Sequence, residues 1–266
     1  MERLQVISLG GGVQSSTMLL MSCLGEISKA DVAIFADTQG EPQEVYDYID
    51  YLKGIAEGYG VPVFTVTKGD LIADFMGFVE GRATRASMIP LMTKDPHTGQ
   101  AMGLLGRHCT HDYKIMPIRR KVREILKDRG LKEADMWIGI STDEITRMKE
   151  SRVQFIRHKF PLIDKKLSRM DCLHWYNSHD FKTPPRSACY FCPFHSQSEW
   201  RRVKGNNPEL FEKAVQIDKR VRRFGKTRGE NYLHKDRIPL ADAVDRDDLQ
   251  NDLDLFGAEC EGMCGV

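Results

Sequence analysis

Two groups of residues in this sequence have the types and spacing to do chemistry. The first is Ser8-Leu9-Gly10-Gly11-Gly12-Val13-Gln14-Ser15-Ser16, where an apolar run meets three consecutive glycines flanked by hydroxyls. Glycines let a backbone approach an anion closely. A helix N-terminus behind them offers unpaired N–H donors and a partial positive charge. Ser8, Ser15 and Ser16 could add hydroxyl donors. The turn lacks the Gly-Lys-Ser/Thr ending of a Walker A loop, and Ser15 stands where a dinucleotide fingerprint needs its third glycine. A phosphate site of another kind is therefore expected on residues 10–16. The second group is Cys189-Tyr190-Phe191-Cys192, stiffened by Pro184, Pro185 and Pro193. Two thiolates on one tight turn can share zinc or an iron–sulfur centre, or act as a dithiol, and the spacing alone leaves these open. Cys23 falls in an apolar helical run and reads as a core residue.

The elements around the first group have a clear order. Leu4–Leu9 reads as a buried parallel strand and the following Ser15–Cys23 as a helix. Val32–Ala36 is a second strand. Pro42 then opens a helix along which Val45, Ile49, Leu52 and Ala56 recur at helical spacing. Val61–Val66 and Met136–Ile140 complete the strands, with a helix marked by Ile118, Val122, Ile125 and Leu126 before the last. This β-α-β order predicts an α/β fold, a doubly wound parallel sheet with helices on both faces. Beyond residue 150 the strand signals fade and short helices alternate with Pro- and Gly-bearing loops. The expected division is a nucleotide-binding domain over 1–150 and a mostly helical, cysteine-bearing part over 151–266. Residues 77–106, rich in Met and Gly, read as a loop.

The 266 residues carry a formal net charge of +1, so no global field favours nucleic acid. The charge is uneven, however. Residues 201–228 hold ten Lys or Arg against three acids, a stretch that could neutralise phosphates of a nucleic-acid acceptor, while residues 242–261 hold eight acids against Arg246. No run approaches the ~18 apolar residues of a membrane helix, and the N-terminus opens on a strand without a signal-peptide pattern. A cytoplasmic protein is expected, in which seven cysteines argue for metal or redox use rather than structural disulfides.

The glycine-rich turn resembles the Ser-Gly-Gly-x-Asp-Ser loop of the PP-loop, or adenine nucleotide α-hydrolase, superfamily. Gln14 in place of Asp makes it most similar to the phosphoadenylyl-sulfate (PAPS) reductase-like branch. Further segments carry the resemblance: Phe35-Ala36-Asp37-Thr38-Gln39-Gly40-Glu41 with Tyr46, Cys109-Thr110-His111-Asp112-Tyr113-Lys114-Ile115-Met116-Pro117, Gly139-Ile140-Ser141-Thr142-Asp143-Glu144 with Arg147, Phe160-Pro161-Leu162-Ile163-Asp164, and Ser187-Ala188-Cys189-Tyr190-Phe191-Cys192-Pro193. Together they span roughly residues 4–195.

The resemblance implies an adenine nucleotide, ATP or PAPS, with Mg2+. It would be held by Ser8, Gly10, Gly11, Gly12, Gln14, Ser15, Ser16, Asp37, Thr38, Gly139 and Arg147, with Lys114 as a catalytic cation on the phosphates. It also implies a [4Fe-4S] cluster, or zinc, on Cys109, Cys189 and Cys192, with either Cys172 as the fourth ligand or one iron left open. The tail Glu259-Cys260-Glu261, followed by Cys264, resembles the segment that carries a nucleophilic cysteine in sulfonucleotide reductases. Two reactions share such a pocket. One is ATP-dependent adenylation followed by sulfur transfer from a donor. The other is attack of Cys260 on the sulfonyl sulfur of PAPS or adenylyl sulfate, with a reductant. A nucleotide-binding regulator without turnover is the third reading. The long Gly10–Gly12 form of the turn fits the β- and γ-phosphates of ATP and favours the first.

Overall fold

The computed structural model describes residues 2–225 and 227–246. Cys260 and Cys264 lie outside the described residues. The chain forms two compact units that interleave along the sequence. The first comprises 2–68 and 110–187, the second 69–109 and 188–246.

The first unit is built on β1 (Leu4–Leu9), α1 (Val13–Leu24), β2 (Val32–Asp37), α2 (Gln43–Gly58) and β3 (Val63–Thr67). The second unit interrupts it with α3 (Leu71–Val79), β4 (Met92–Lys94) and β5 (Ala101–Leu104). A π-helical turn, Thr110–Ile115, then leads into α4 (Met116–Asp128), followed by β6 (Ala134–Trp137), a 3-10 turn (Thr142–Arg147), β7 (Ile156–Lys159), α5 (Pro161–Asp164) and α6 (Arg169–His179). The five strands form one parallel sheet in the order β3-β2-β1-β6-β7.

Side chains alternate across a strand, so each central strand must feed two cores. Ile7, Leu9, Ala33 and Phe35 pack with Met18 and Leu19 of α1, Tyr48, Ile49 and Leu52 of α2, and Tyr176 of α6. Leu4, Val6, Val32, Ile34 and Ala36 pack on the other face with Ile118, Val122, Ile125 and Leu126 of α4. Helices thus cover both faces, as the doubly wound expectation requires. Cys23 packs against the first of these cores, and burial pushes its thiol up to about 11.

The sequence reading divides the chain at residue 150, while the first compact unit runs on to Ser187. β7 continues the sheet by pairing in parallel with β6 (Met136↔His158), and α6 seals the α1 face, so 151–187 belong to the first unit. Ile156-Arg157-His158-Lys159 has one apolar residue in four and so gives no apolar run. As an edge strand it tolerates that. The fourth strand also starts earlier than Met136, because Asp135 interrupts the apolar run. This buried carboxylate accepts from Arg157 Nε and Nη2 at 2.9 and 2.7 Å, which makes an acid tolerable inside a sheet.

The second unit continues with α7 (Gln197–Asn206), α8 (Pro208–Arg220), β8 (Glu230–Tyr232) and α9 (Leu240–Ala243). Its antiparallel sheet has the order β5-β4-β8. Residues 77–106, expected as a loop, supply two of these strands. Buried polar groups lock this unit. Gln197 Nε2 donates to the Ala243 carbonyl at 2.7 Å, which turns its Oε1 toward His234 Nε2 at 2.8 Å. The Asp236 amide donates to His234 Nδ1 at 3.3 Å. One ring nitrogen donates and the other accepts, so the imidazole is neutral.

Burial depresses the His234 pKa to about 4, with Asp236 opposing and Lys235 reinforcing the shift. A group depressed in the folded state stabilises the fold above its unfolded pKa, near 6.5. It loses that contribution as pH falls toward about 4. The loss should reach up to about 3 kcal/mol. Urea midpoints measured between pH 7.5 and 5 should fall more steeply for the wild type than for His234→Gln, and equal slopes would refute this.

Candidate functional site

The strand order reverses between β1 and β6, and in open α/β sheets ligands bind beyond the carboxyl ends of the strands at such a point. The glycine-rich turn leaves β1 there. Gly11 is left-handed, with φ of +78°, and a Cβ on it would meet Ile49 Cδ1 at 3.2 Å and Val45 Cγ1 at 3.5 Å. Only glycine is comfortable at that position. Gly12 is extended and caps α1 without any side-chain hydrogen bond. The first-turn amides of a helix have no intrahelical partner, and such an end attracts anions.

The serines of the turn divide in role. Ser15 Oγ accepts from the Gly10 amide at 3.0 Å and contacts the Gly12 carbonyl at 3.5 Å, so it closes the turn rather than facing outward. Ser8 Oγ and Gln14 Oε1 are buried and have no partner among the described residues. A buried polar atom left so costs about 1–3 kcal/mol, and such atoms are kept where a ligand or water completes them.

Gln14 reaches across the reversal. Its Nε2 donates to Ser141 Oγ at 3.3 Å and to Glu144 Oε2 at 3.2 Å, and Arg147 Nη1 pairs with Glu144 Oε1. Since a carboxylate only accepts, the amide nitrogen must face Glu144, which fixes Oε1 as the unpartnered atom. Gly139 lies between β6 and the 3-10 turn that carries Glu144 and Arg147.

A second buried chain reaches the turn from the other side. Lys114 Nζ lies 3.6 Å from Glu41 Oε1, with both side chains buried. Ser187 Oγ is 3.3 Å from Glu41 Oε2 and donates to the Gly10 carbonyl at 2.6 Å. Lys114 is held by the π-helical turn, a form that recurs at functional sites. Asp37 Oδ1 accepts from the Gln39 amide at 2.7 Å and from Tyr46 OH at 2.9 Å. Burial and Asp37 hold the Tyr46 phenol well above its ordinary pKa, so it remains a donor. Thr38, which follows, is buried.

The structure thus gathers residues 8–16, Asp37, Thr38, Lys114, Gly139 and Arg147 in one unit, most of them in the strand-end segments that follow β1, β2 and β6. Glu41, Ser141, Glu144 and Ser187 complete the networks. All four stand inside the quoted motifs, yet nothing in their spacing marks them as paired. A buried acid flanked by Gly40 and Pro42, on a chain with Lys114 elsewhere, was the one available signal.

The expected metal set is not assembled in this way. Cys109, Cys189 and Cys192 all belong to the second unit and are half-buried. Among the described residues, however, no three His, Cys, Asp or Glu side chains are grouped to hold a metal ion. Cys172 is fully buried in the apolar core that also holds Tyr176.

The basic stretch is also more occupied than its composition suggests. Arg202 pairs with Glu199, Lys204 with Asp245, Arg220 with Glu80, Arg222 with Asp218 and Arg223 with Glu230. Arg222 also lies 3.5 Å over the Tyr232 ring. It holds the second unit together, so neutralising it would test packing before it tested nucleic-acid contact. Among the described residues no helix is long and apolar enough to cross a membrane.

No protein-family model matches the chain. The chain is 27% identical over 228 residues to an "uncharacterized protein" of Methanocaldococcus jannaschii, covering 82% of this chain and 47% of that one. It thus spans about half the length of that curated relative. Among solved structures it is similar to a phosphoadenylyl-sulfate reductase of Candida auris in a phosphate complex. That likeness has 12% identity and a TM-score of 0.39, over 69% of this chain and 76% of that one.

Proposed function

We propose that this chain is an enzyme that binds an adenine nucleotide with its phosphates over residues 10–16, and that it uses ATP to adenylate an acceptor as the first half of a sulfur transfer. The observation that carries this is the pair of buried, unpartnered atoms Ser8 Oγ and Gln14 Oε1 at the left-handed Gly11 turn, which leads into α1.

In this reading an acceptor oxygen attacks the α-phosphorus, the bond to the β-phosphate breaks, and pyrophosphate leaves. A sulfur donor then displaces AMP. The chain's part is electrostatic: first-turn amides, Lys114 and Arg147 offset the charge that builds on the phosphoryl oxygens. Mg2+ would arrive on the phosphates, as it usually does, rather than in an all-protein cage. No step is assigned to an iron–sulfur centre.

Reduction of PAPS or adenylyl sulfate is the second reading. It is favoured by an amide rather than a carboxylate at position 14, which leaves no acid in the turn for a metal. Calorimetry at fixed salt and magnesium separates the two. ATP should bind more tightly than PAPS, Cys260→Ser should leave binding unchanged, and AMP and pyrophosphate should be released with a competent acceptor. Tight PAPS binding with sulfite release that Cys260→Ser abolishes would transfer the assignment to the reductase.

A further inference from the structure

The Cys189–Cys192 segment has a geometry of its own. The Cys192 amide donates to the Cys189 carbonyl at 2.9 Å, closing a four-residue turn around Tyr190 and Phe191. A turn closed in this way keeps its end Cα atoms within ~7 Å, and disulfides span Cα separations of about 4.4–6.8 Å. The turn therefore holds the two backbones in the range that a disulfide can span.

The turn is also anchored on both sides. The His195 amide donates to the Cys192 carbonyl at 3.1 Å, and His195 Nε2 binds the Cys189 carbonyl at 3.0 Å. Phe191 is buried, and His195 packs edge-on against Trp200, their ring centroids 4.6 Å apart. Both thiols are half-buried and neither is in a disulfide. The described residues provide no third ligand grouped with them for a metal.

We propose that Cys189 and Cys192 form a reversible dithiol–disulfide pair, a two-electron redox site in the second unit. The oxidant is a small-molecule disulfide. One thiolate of the pair attacks it, forming a mixed disulfide and releasing one thiolate. The other cysteine then attacks the mixed disulfide at the protein sulfur, closing the Cys189–Cys192 bond and releasing the second thiolate. Two protein thiols are oxidised and one external disulfide is reduced to two thiols. A dithiol reductant reverses the sequence. The proposal does not depend on which nucleotide the first unit binds.

The test uses the full chain. Purified protein is equilibrated with oxidised glutathione, alkylated, cleaved after arginine and lysine, and weighed by mass spectrometry. Cys189 and Cys192 fall together in the peptide 187–201. In the wild type and in Cys109→Ser that peptide should escape alkylation and be lighter by two hydrogens, and dithiothreitol should restore both thiols. In Cys192→Ser the remaining Cys189 should instead carry glutathione. Two outcomes overturn the proposal. One is full alkylation of both cysteines in the wild-type peptide at saturating oxidant. The other is stoichiometric iron or zinc in the protein as purified, released when these thiols are modified. Both are read on the wild type, so a variant that fails to fold leaves the test intact.

Discussion

Gly11→Val should weaken ATP binding by at least tenfold while leaving the chain folded. A β-branched residue at φ of +78° bears a backbone penalty of about 1–2 kcal/mol, and its Cβ would meet Ile49 Cδ1 at 3.2 Å. The cheapest relief is to rotate the turn, which moves the first-turn amides of α1 away from the phosphates. Urea unfolding should show a loss of about 2 kcal/mol, and calorimetry the loss of affinity. Gly11→Ala, with the same φ problem and a smaller side chain, should fall between. Wild-type affinity in the valine variant would remove the phosphates from this turn.

Lys114→Met should lower stability measurably, because it removes the cation 3.6 Å from the buried Glu41 carboxylate. Adding Glu41→Gln should recover most of that, since an amide and a thioether need no counter-charge. ATP affinity should not recover in the double variant, because the cation proposed to act on the phosphates is still missing. Stability and binding thus respond differently to one pair of changes. A double variant that binds ATP like the wild type would confine Lys114 to a structural role.

The sequence exposed the central strands and the glycine turn more fully than the edge of the sheet. Three buried strands and the glycine turn were legible because parallel strands covered on both faces read as continuous apolar runs, and because Gly11 can be only glycine. β7 was not legible, since a sheet edge imposes little demand for apolar residues. The boundary at residue 150 followed from that omission. The partnership of Glu41 with Lys114 joins residues on opposite sides of the 69–109 segment, and no local spacing encodes such a pair. Gln14 was identified, but its link to Glu144 depends on which strands are neighbours, a property of topology rather than of composition. Arg222 shows the converse, since a cation-rich run looks like a contact surface until the acids that neutralise it are placed.

The place of β1 between β2 and β6 bears on how the chain is made. β1 and β2 are adjacent in the sequence and can pair soon after they leave the ribosome. The other edge of β1 must wait for β6, whose Trp137 lies opposite Ile7. At about 5–20 residues per second, that delay is on the order of ten seconds. For that interval the nascent chain presents an apolar strand with one row of backbone groups unmet, a template for any extended segment nearby. The excursion through residues 69–109 lengthens the wait.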